Sequence, residues 1–226
     1  MVTAISAHRR DEAGRAGLHE AVASGAEYVE IDVRRTGDGE LVVHHDPDVG
    51  GQRLSRLPFE RLADLAGRPV PRVSEALEII AAGGVKGHLD LKERGCEAEM
   101  VELALEAFGP DDFVVTTRDA ASLSSIKKVY PQVTAALSIG RSWWEYGVVN
   151  DLAPIRRIRQ SGADMVALNF RLARIGVLGQ CARAGFPAMI WTVNAAPLMR
   201  RFLGDTRVAV LITDHPRHAL ALRADA

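Results

Sequence analysis

The sequence predicts a parallel α/β fold, a single (β/α)8 TIM barrel spanning residues 1–226. Three observations predict it. Eight short β-rich runs alternate with longer helical stretches. The 226 residues suit one domain of this kind, which typically needs about 250. Two of the runs carry charged residues on one face and aliphatic residues on the other, in a chain whose parallel sheet is expected to be covered on both faces. A doubly wound open sheet is the structural alternative.

The strand-like runs lie near Thr3–Ala7, Tyr28–Val33, Gly87–Leu91, Phe113–Thr117, Val133–Leu137, Met165–Leu168, Ala188–Val193 and Val208–Ile212. Helical spacing of apolar residues is found between them, over Glu97–Phe108, Ser122–Val129, Leu152–Ser161, Ile175–Ala184 and Leu198–Leu203. One excursion interrupts the alternation. After the second strand, Thr36-Gly37-Asp38-Gly39 signals a turn and Leu41-Val42-Val43 a short returning strand. An irregular stretch follows His45-Asp46-Pro47 as far as Pro58, and two helical pieces precede the third strand. No linker or low-complexity run marks a second domain.

The charged faces point to chemistry. In Val29 to Val33 (VEIDV), alternation puts the three aliphatic residues on one face and Glu30 and Asp32 on the other. In His88 to Glu93 (HLDLKE), Leu89 and Leu91 oppose Asp90 and Lys92. If the aliphatic faces pack on helices, three carboxylates and an ammonium converge inside the barrel mouth. Clustered carboxylates repel, and burial raises the cost. A bound divalent cation compensates most simply, and an all-oxygen set suits Mg²⁺ or Ca²⁺. The competing explanation is a solvated sheet face. His8 ends the first strand and His45 ends the excursion, both candidates for proton transfer near neutral pH. Arg9 follows His8 with a fork able to grip phosphate.

Composition narrows the remaining choices. A formal net charge of -1 provides no global field for nucleic acid or an anionic membrane, so an anionic substrate needs a local positive cluster. Two distant cysteines, Cys96 and Cys181, form neither a disulfide framework nor a zinc pattern. No stretch has the length of a transmembrane segment and the N-terminus lacks a signal-peptide core, so the expected location is cytoplasmic. Trp143-Trp144 are expected to cover the barrel rim, and Asp214, before His215-Pro216, to cap the last helix. His19, His44, His88, His215 and His218 are assigned no function.

Taken together, these residues resemble the glycerophosphodiester phosphodiesterase family. His8-Arg9 matches the opening of its HRG motif, Glu12 the Glu of its ENT motif, and Gly25 to Val33 its metal-binding strand. Asp38-Gly39 with Val42 to Pro47 matches its second histidine segment, Leu89 to Lys92 its acid-x-Lys element, and Trp191 to Asn194 and Ile212 to Pro216 its late signatures. The resemblance implies a phospholipase C-like phosphodiesterase barrel and a divalent metal on Glu30, Asp32 and Asp90. It implies His8 and His45 as the acid/base pair, Arg9 and Lys92 on the phosphate, and Trp191 against the alcohol. The implied reaction releases an alcohol and glycerol phosphate from deacylated phospholipids, a small-molecule phosphodiester substrate. Departures are Arg10 for the HRG glycine, Glu12-Ala13-Gly14 for ENT, Thr117-Arg118 for a Ser-Phe pair, and Asp90 where glycerophosphodiesterases carry Glu. Asp90 is similar to sphingomyelinase D-like relatives, so a phospholipase D-type lyase forming a cyclic phosphate is the second expectation. A catalytically silent barrel serving as a binding module is the third. Oligomeric state is left open.

Overall fold

The computed structural model describes residues 2–8, 14–140 and 148–224. Its strands are β1 (Ala4–Ala7), β2 (Tyr28–Arg35), β3 (Leu41–Val43), β4 (Asp48–Val49), β5 (Gln52–Arg53), β6 (Lys86–Leu91), β7 (Phe113–Thr117), β8 (Ala135–Ile139), β9 (Met165–Asn169), β10 (Ala188–Trp191) and β11 (Val208–Thr213). Its helices are α1 (Gly14–Val22), α2 (Leu62–Ala66), α3 (Val73–Ala82), α4 (Glu97–Phe108), α5 (Ala120–Val129), α6 (Ile155–Ser161), α7 (Phe170–Arg174), α8 (Val177–Arg183), α9 (Ala196–Leu203) and α10 (Pro216–Ala224).

Eight of the strands pair in parallel in the order β1-β11-β10-β9-β8-β7-β6-β2, and β2 returns to β1 through Ser6↔Tyr28 and Ala7↔Val29. The sheet is therefore a closed (β/α)8 barrel with helices between its strands. Closure removes the edges that an open doubly wound sheet would leave unpaired. The aliphatic faces pack outward as alternation requires. Val29, Ile31, Val33, Leu89 and Leu91 are buried in one large cluster that includes residues of the surrounding helices. A separate apolar layer of Val114, Ala136, Ala167, Met189, Val210 and Ile212 fills the barrel interior. Two members of that layer are alanines, which leaves volume for a cavity above it.

The excursion is a built wall. β2 runs on to Arg35, beyond the expected end at Val33, because Val33, Arg34 and Arg35 pair antiparallel with β3. The stretch expected to be irregular contains the two-stranded ribbon of β4 and β5, followed by two 3-10 turns and α2. Val42, Val49, Leu54, Leu57, Leu62 and Val70 form its own small core.

Other boundaries differ for local reasons. β8 begins at Ala135, after the expected start at Val133, because Lys127 Nζ bonds the carbonyls of Pro131 and Val133 at 2.8 Å each. The helix expected over Ile175–Ala184 is α8, which starts only after Gly176, whose φ of 104° no helix interior tolerates, and a separate short helix, α7, precedes it. α6 starts at Ile155, immediately after Pro154. Among the described residues, no helix is long and apolar enough to cross a membrane.

Candidate active site

Strand register brings the charges together. Glu30 is aligned with His88 and Asp32 with Asp90 across β2 and β6, and Asp90 with Thr116 across β7. Inward-facing positions at one height of a barrel meet near its axis. Glu30, Asp32 and Asp90 accordingly offer oxygens that all lie within 4.8 Å of one another. Glu30 is 4% exposed and Asp32 1%, far below what isolated carboxylates tolerate. Glu30 Oε2 and Asp32 Oδ2 are buried without a hydrogen-bond partner, while Asp32 Oδ1 faces the Lys92 ammonium. Buried acceptors left in this way fit a cation between them.

Lys92, just past β6, supplies a counter-charge. Its Nζ lies 2.6 Å from Asp32 Oδ1 and also contacts Asp90 Oδ2. Burial lowers the ammonium's pKa, but Asp90, Asp32 and Glu30 more than reverse this, so Lys92 is held as a cation. For Asp90, burial pushes the pKa up, while Lys92 and the Thr116 hydroxyl bring it below the usual carboxylate range. Glu30, deeper and beside Asp32, is pushed up to about 8, first by burial and then by that like charge.

His8 follows β1. Its Nδ1 is 2.6 Å from Asp214 Oδ1, and its Nε2 is 3.8 Å from Glu30 Oε2. Burial lowers its pKa, but Glu30 and Asp214 outweigh that and raise it to about 9. Asp214 also accepts from Asn194 Nδ2, while Asn194 Oδ1 accepts from the Asp214 N–H and the Thr213 hydroxyl. The expected helix cap at Asp214 is thus corrected. α10 begins at Pro216, which leaves His215 at the cap position, and the Asp214 carboxylate orients His8 instead.

His45 approaches from the excursion. It is exposed, with Nδ1 2.8 Å from Asp46 Oδ1, and its carbonyl accepts from Arg34 Nε at 2.9 Å. The cavity, about 960 Å³, is lined by His8, Glu30, His45, Asp90, Lys92 and Trp191, together with residues that sequence reading left aside. These include His88, Arg34, Arg68 and Arg118. Of the seven expected site residues among the described ones, Asp32, 1% exposed, is absent from the lining. Arg9 lies outside the described residues, as do Arg10, Glu12 and Trp143-Trp144.

His88 is the most informative omission. Its Nδ1 is 3.0 Å from Ser6 Oγ and its Nε2 3.1 Å from Thr116 Oγ1, while Thr116 Oγ1 donates to Asp90 Oδ1 at 2.6 Å. The Thr116 hydroxyl gives its hydrogen to Asp90, so it accepts from His88 Nε2–H, and His88 Nδ1 accepts from Ser6. Burial depresses the His88 pKa to about 4, which fits this neutral tautomer. The signal was present in the sequence: His88 shares its strand face with Asp90 and Lys92.

A closed parallel barrel whose mouth gathers a carboxylate triad, a lysine and two histidines is a barrel phosphodiesterase, a phosphoric diester hydrolase by class. The model of the glycerophosphoryl diester phosphodiesterase family matches residues 8–218, and the chain belongs to that family. It is 25% identical, over 98% of both chains, to a glycerophosphodiester phosphodiesterase of Caldanaerobacter subterraneus subsp. tengcongensis. Its fold is shared with a glycerophosphodiester phosphodiesterase of Parabacteroides distasonis (TM-score 0.81, 18% identity, 99% of this chain and 97% of that one). It is shared also with an Oleispira antarctica phosphodiesterase solved with its product sn-glycerol-3-phosphate (TM-score 0.77, 20% identity, 100% and 98%).

Proposed function

We propose that this enzyme hydrolyses glycerophosphodiesters to an alcohol and glycerol phosphate, with His8 and His45 as its acid/base pair and a divalent cation, Mg²⁺ or Ca²⁺, on Glu30, Asp32 and Asp90. One observation carries the reading: His8 is clamped by Asp214 at the edge of a carboxylate triad in which Glu30 Oε2 and Asp32 Oδ2 are buried without a hydrogen-bond partner. The cation, when bound, neutralises charge on the phosphoryl oxygens. Lys92 adds a fixed positive charge within the same cavity, and Arg9 joins it on the sequence match alone. One histidine takes the proton of the attacking water as the new P–O bond forms. The other protonates the departing alkoxide as the old P–O bond breaks. Trp191 lines the cavity where the alcohol would lie. The product complex of the Oleispira relative supports glycerol phosphate as the retained half. Both cysteines are free and buried, which supports a reducing, cytoplasmic setting.

The test is turnover of sn-glycero-3-phosphodiesters with and without chelator, products identified by phosphorus NMR. Glycerol phosphate, lost on chelation and in both His8→Ala and His45→Ala, is the expected result. A cyclic phosphate product would move the assignment to the lyase reading. Unchanged turnover in either variant would remove the histidine pair.

A further inference from the structure

We propose that Arg34 is a positioning residue for His45, and that with Glu93 it straps the His45 segment to the two strands bearing the carboxylate triad. The inference deepens the phosphodiesterase reading and rests on its assignment of His45 to the acid/base pair. Alternation along β2 gives Arg34 the face of Glu30 and Asp32. The pairing of β2 with β6 ends at Val33 and Leu91, so Arg34 stands just beyond it, at the cavity wall. Its side chain is only 11% exposed, and a cation so covered needs partners. The Nε–H donates to the His45 carbonyl at 2.9 Å, and Nη1 lies 3.5 Å from Glu93 Oε2. Glu93 follows Lys92 directly, and its other oxygen accepts the Arg35 N–H at 2.6 Å. One guanidinium therefore spans β2, the end of β6 and the excursion, and its planar fork suits that task.

His45 has use for such an anchor because it lies outside any strand. β3 ends at Val43, and β4 begins only at Asp48. The His44 N–H still bonds the Asp32 carbonyl at 3.0 Å, and there the ladder stops. At the far end the Pro47 carbonyl accepts from the Leu54 N–H, which ties the segment to the excursion and not to the barrel. Asp46 Oδ1 lies 2.8 Å from His45 Nδ1 and sets the turn of the ring. Yet Asp46 is exposed and belongs to the same segment, so it aims the ring only relative to a backbone fixed by something else. The bond from Arg34 supplies that reference, since it comes from the strand that carries Glu30 and Asp32. A proton-transfer group must lie within hydrogen-bond reach of its target, so a small displacement of His45 costs turnover and leaves substrate affinity alone.

Arg34→Met keeps the bulk of the side chain and removes every donor, while Arg34→Lys keeps the charge. Amide hydrogen exchange at His44 and His45 reports on the strap without reference to turnover. In Arg34→Met it should speed up about tenfold or more, with β6 and β7 at wild-type rates and Arg34→Lys in between. With glycerophosphocholine, kcat of Arg34→Met should fall about tenfold or more while KM stays within about twofold. With a p-nitrophenyl diester of glycerol phosphate, the loss in Arg34→Met should follow that in His45→Ala. Both shrink if His45 protonates the leaving alkoxide, and both persist if it takes the proton of water. Adding Glu93→Gln to Arg34→Met should cost little more, since one strap is broken once. Wild-type exchange at His44 and His45 in Arg34→Met would overturn the inference. So would a KM raised about tenfold at unchanged kcat, the mark of a direct substrate contact. Faster exchange in Arg34→Met beside a fully active His45→Ala would uphold the strap and strike the acid/base assignment alone.

Discussion

His8 links the first and last strands of the barrel: its ring, just past β1, lies 2.6 Å through Nδ1 from Asp214, just past β11. A histidine held through one nitrogen presents the other in a fixed direction, here toward Glu30 at 3.8 Å. Asp214→Asn keeps the shape and removes the charge that orients the ring. The expected loss in kcat is about 10²-fold or more, with a melting temperature near that of the wild type. Wild-type kcat in the variant would show that Asp214 does not position His8.

Glu30 gives a prediction in which stability and activity move in opposite directions. Its buried carboxylate sits beside Asp32 and is pushed to ionise only near pH 8. Without added metal, Glu30→Gln removes a carboxyl whose ionisation is opposed first by burial and then by Asp32, which should raise stability by about 1 kcal/mol, or roughly 2–4 °C. Mg²⁺ or Ca²⁺ should stabilise the wild type and not the variant. Thermal scans with and without each ion measure both effects, and equal ion responses would remove Glu30 from the ligand set.

Thr116 links His88 to Asp90 through one hydroxyl. Thr116→Val strands both partners, costing about 1–3 kcal/mol of stability and weakening metal affinity about tenfold or more, while Thr116→Ser should restore both. Calorimetric titration of the ion into the two variants separates this linkage from simple loss of packing.

Glu27 offers a pH-dependent test away from the site. It accepts from the Ile5 N–H and pairs with Arg223 at 2.8 Å each, tying the start of β2 to β1 and α10 where the barrel closes. Burial raises its pKa, but Arg223 and Ile5 overcome this and leave it below the ordinary value. A depressed folded-state pKa contributes stability above the unfolded value, and the contribution is lost as pH falls through the folded one. Glu27→Gln should therefore cost about 1 kcal/mol at pH 7, allowing for its partial exposure, and almost nothing at pH 3. A difference that persists in acid would mean the cost is steric.

Strand alternation made the barrel and the acidic triad legible in advance. VEIDV and HLDLKE state which side chains face inward, and register then aligns Asp32 with Asp90. The same rule applied to His88 would have found the relay to Thr116. Arg68 was not legible, since it follows α2 in a segment without periodicity and reaches the cavity only through the small core of the excursion. Asp214 was misread because an acid two residues before a proline matches a capping pattern locally. Its true partner is at the far end of the chain.

β2 does two jobs without interruption. Its first half is a barrel stave bearing Glu30 and Asp32; its second half is the arm of a hairpin whose return strand, β3, ends just before His44 and His45. Acids and histidine thus ride on one ribbon, with a tight turn at Thr36 to Glu40 as its fold-back point. The length of that ribbon sets their separation. A single residue inserted within β3 would leave Glu30, Asp32 and Asp90 in place and slip the pairing that carries His45, so the paired part of this hairpin should tolerate changes of letter better than changes of length.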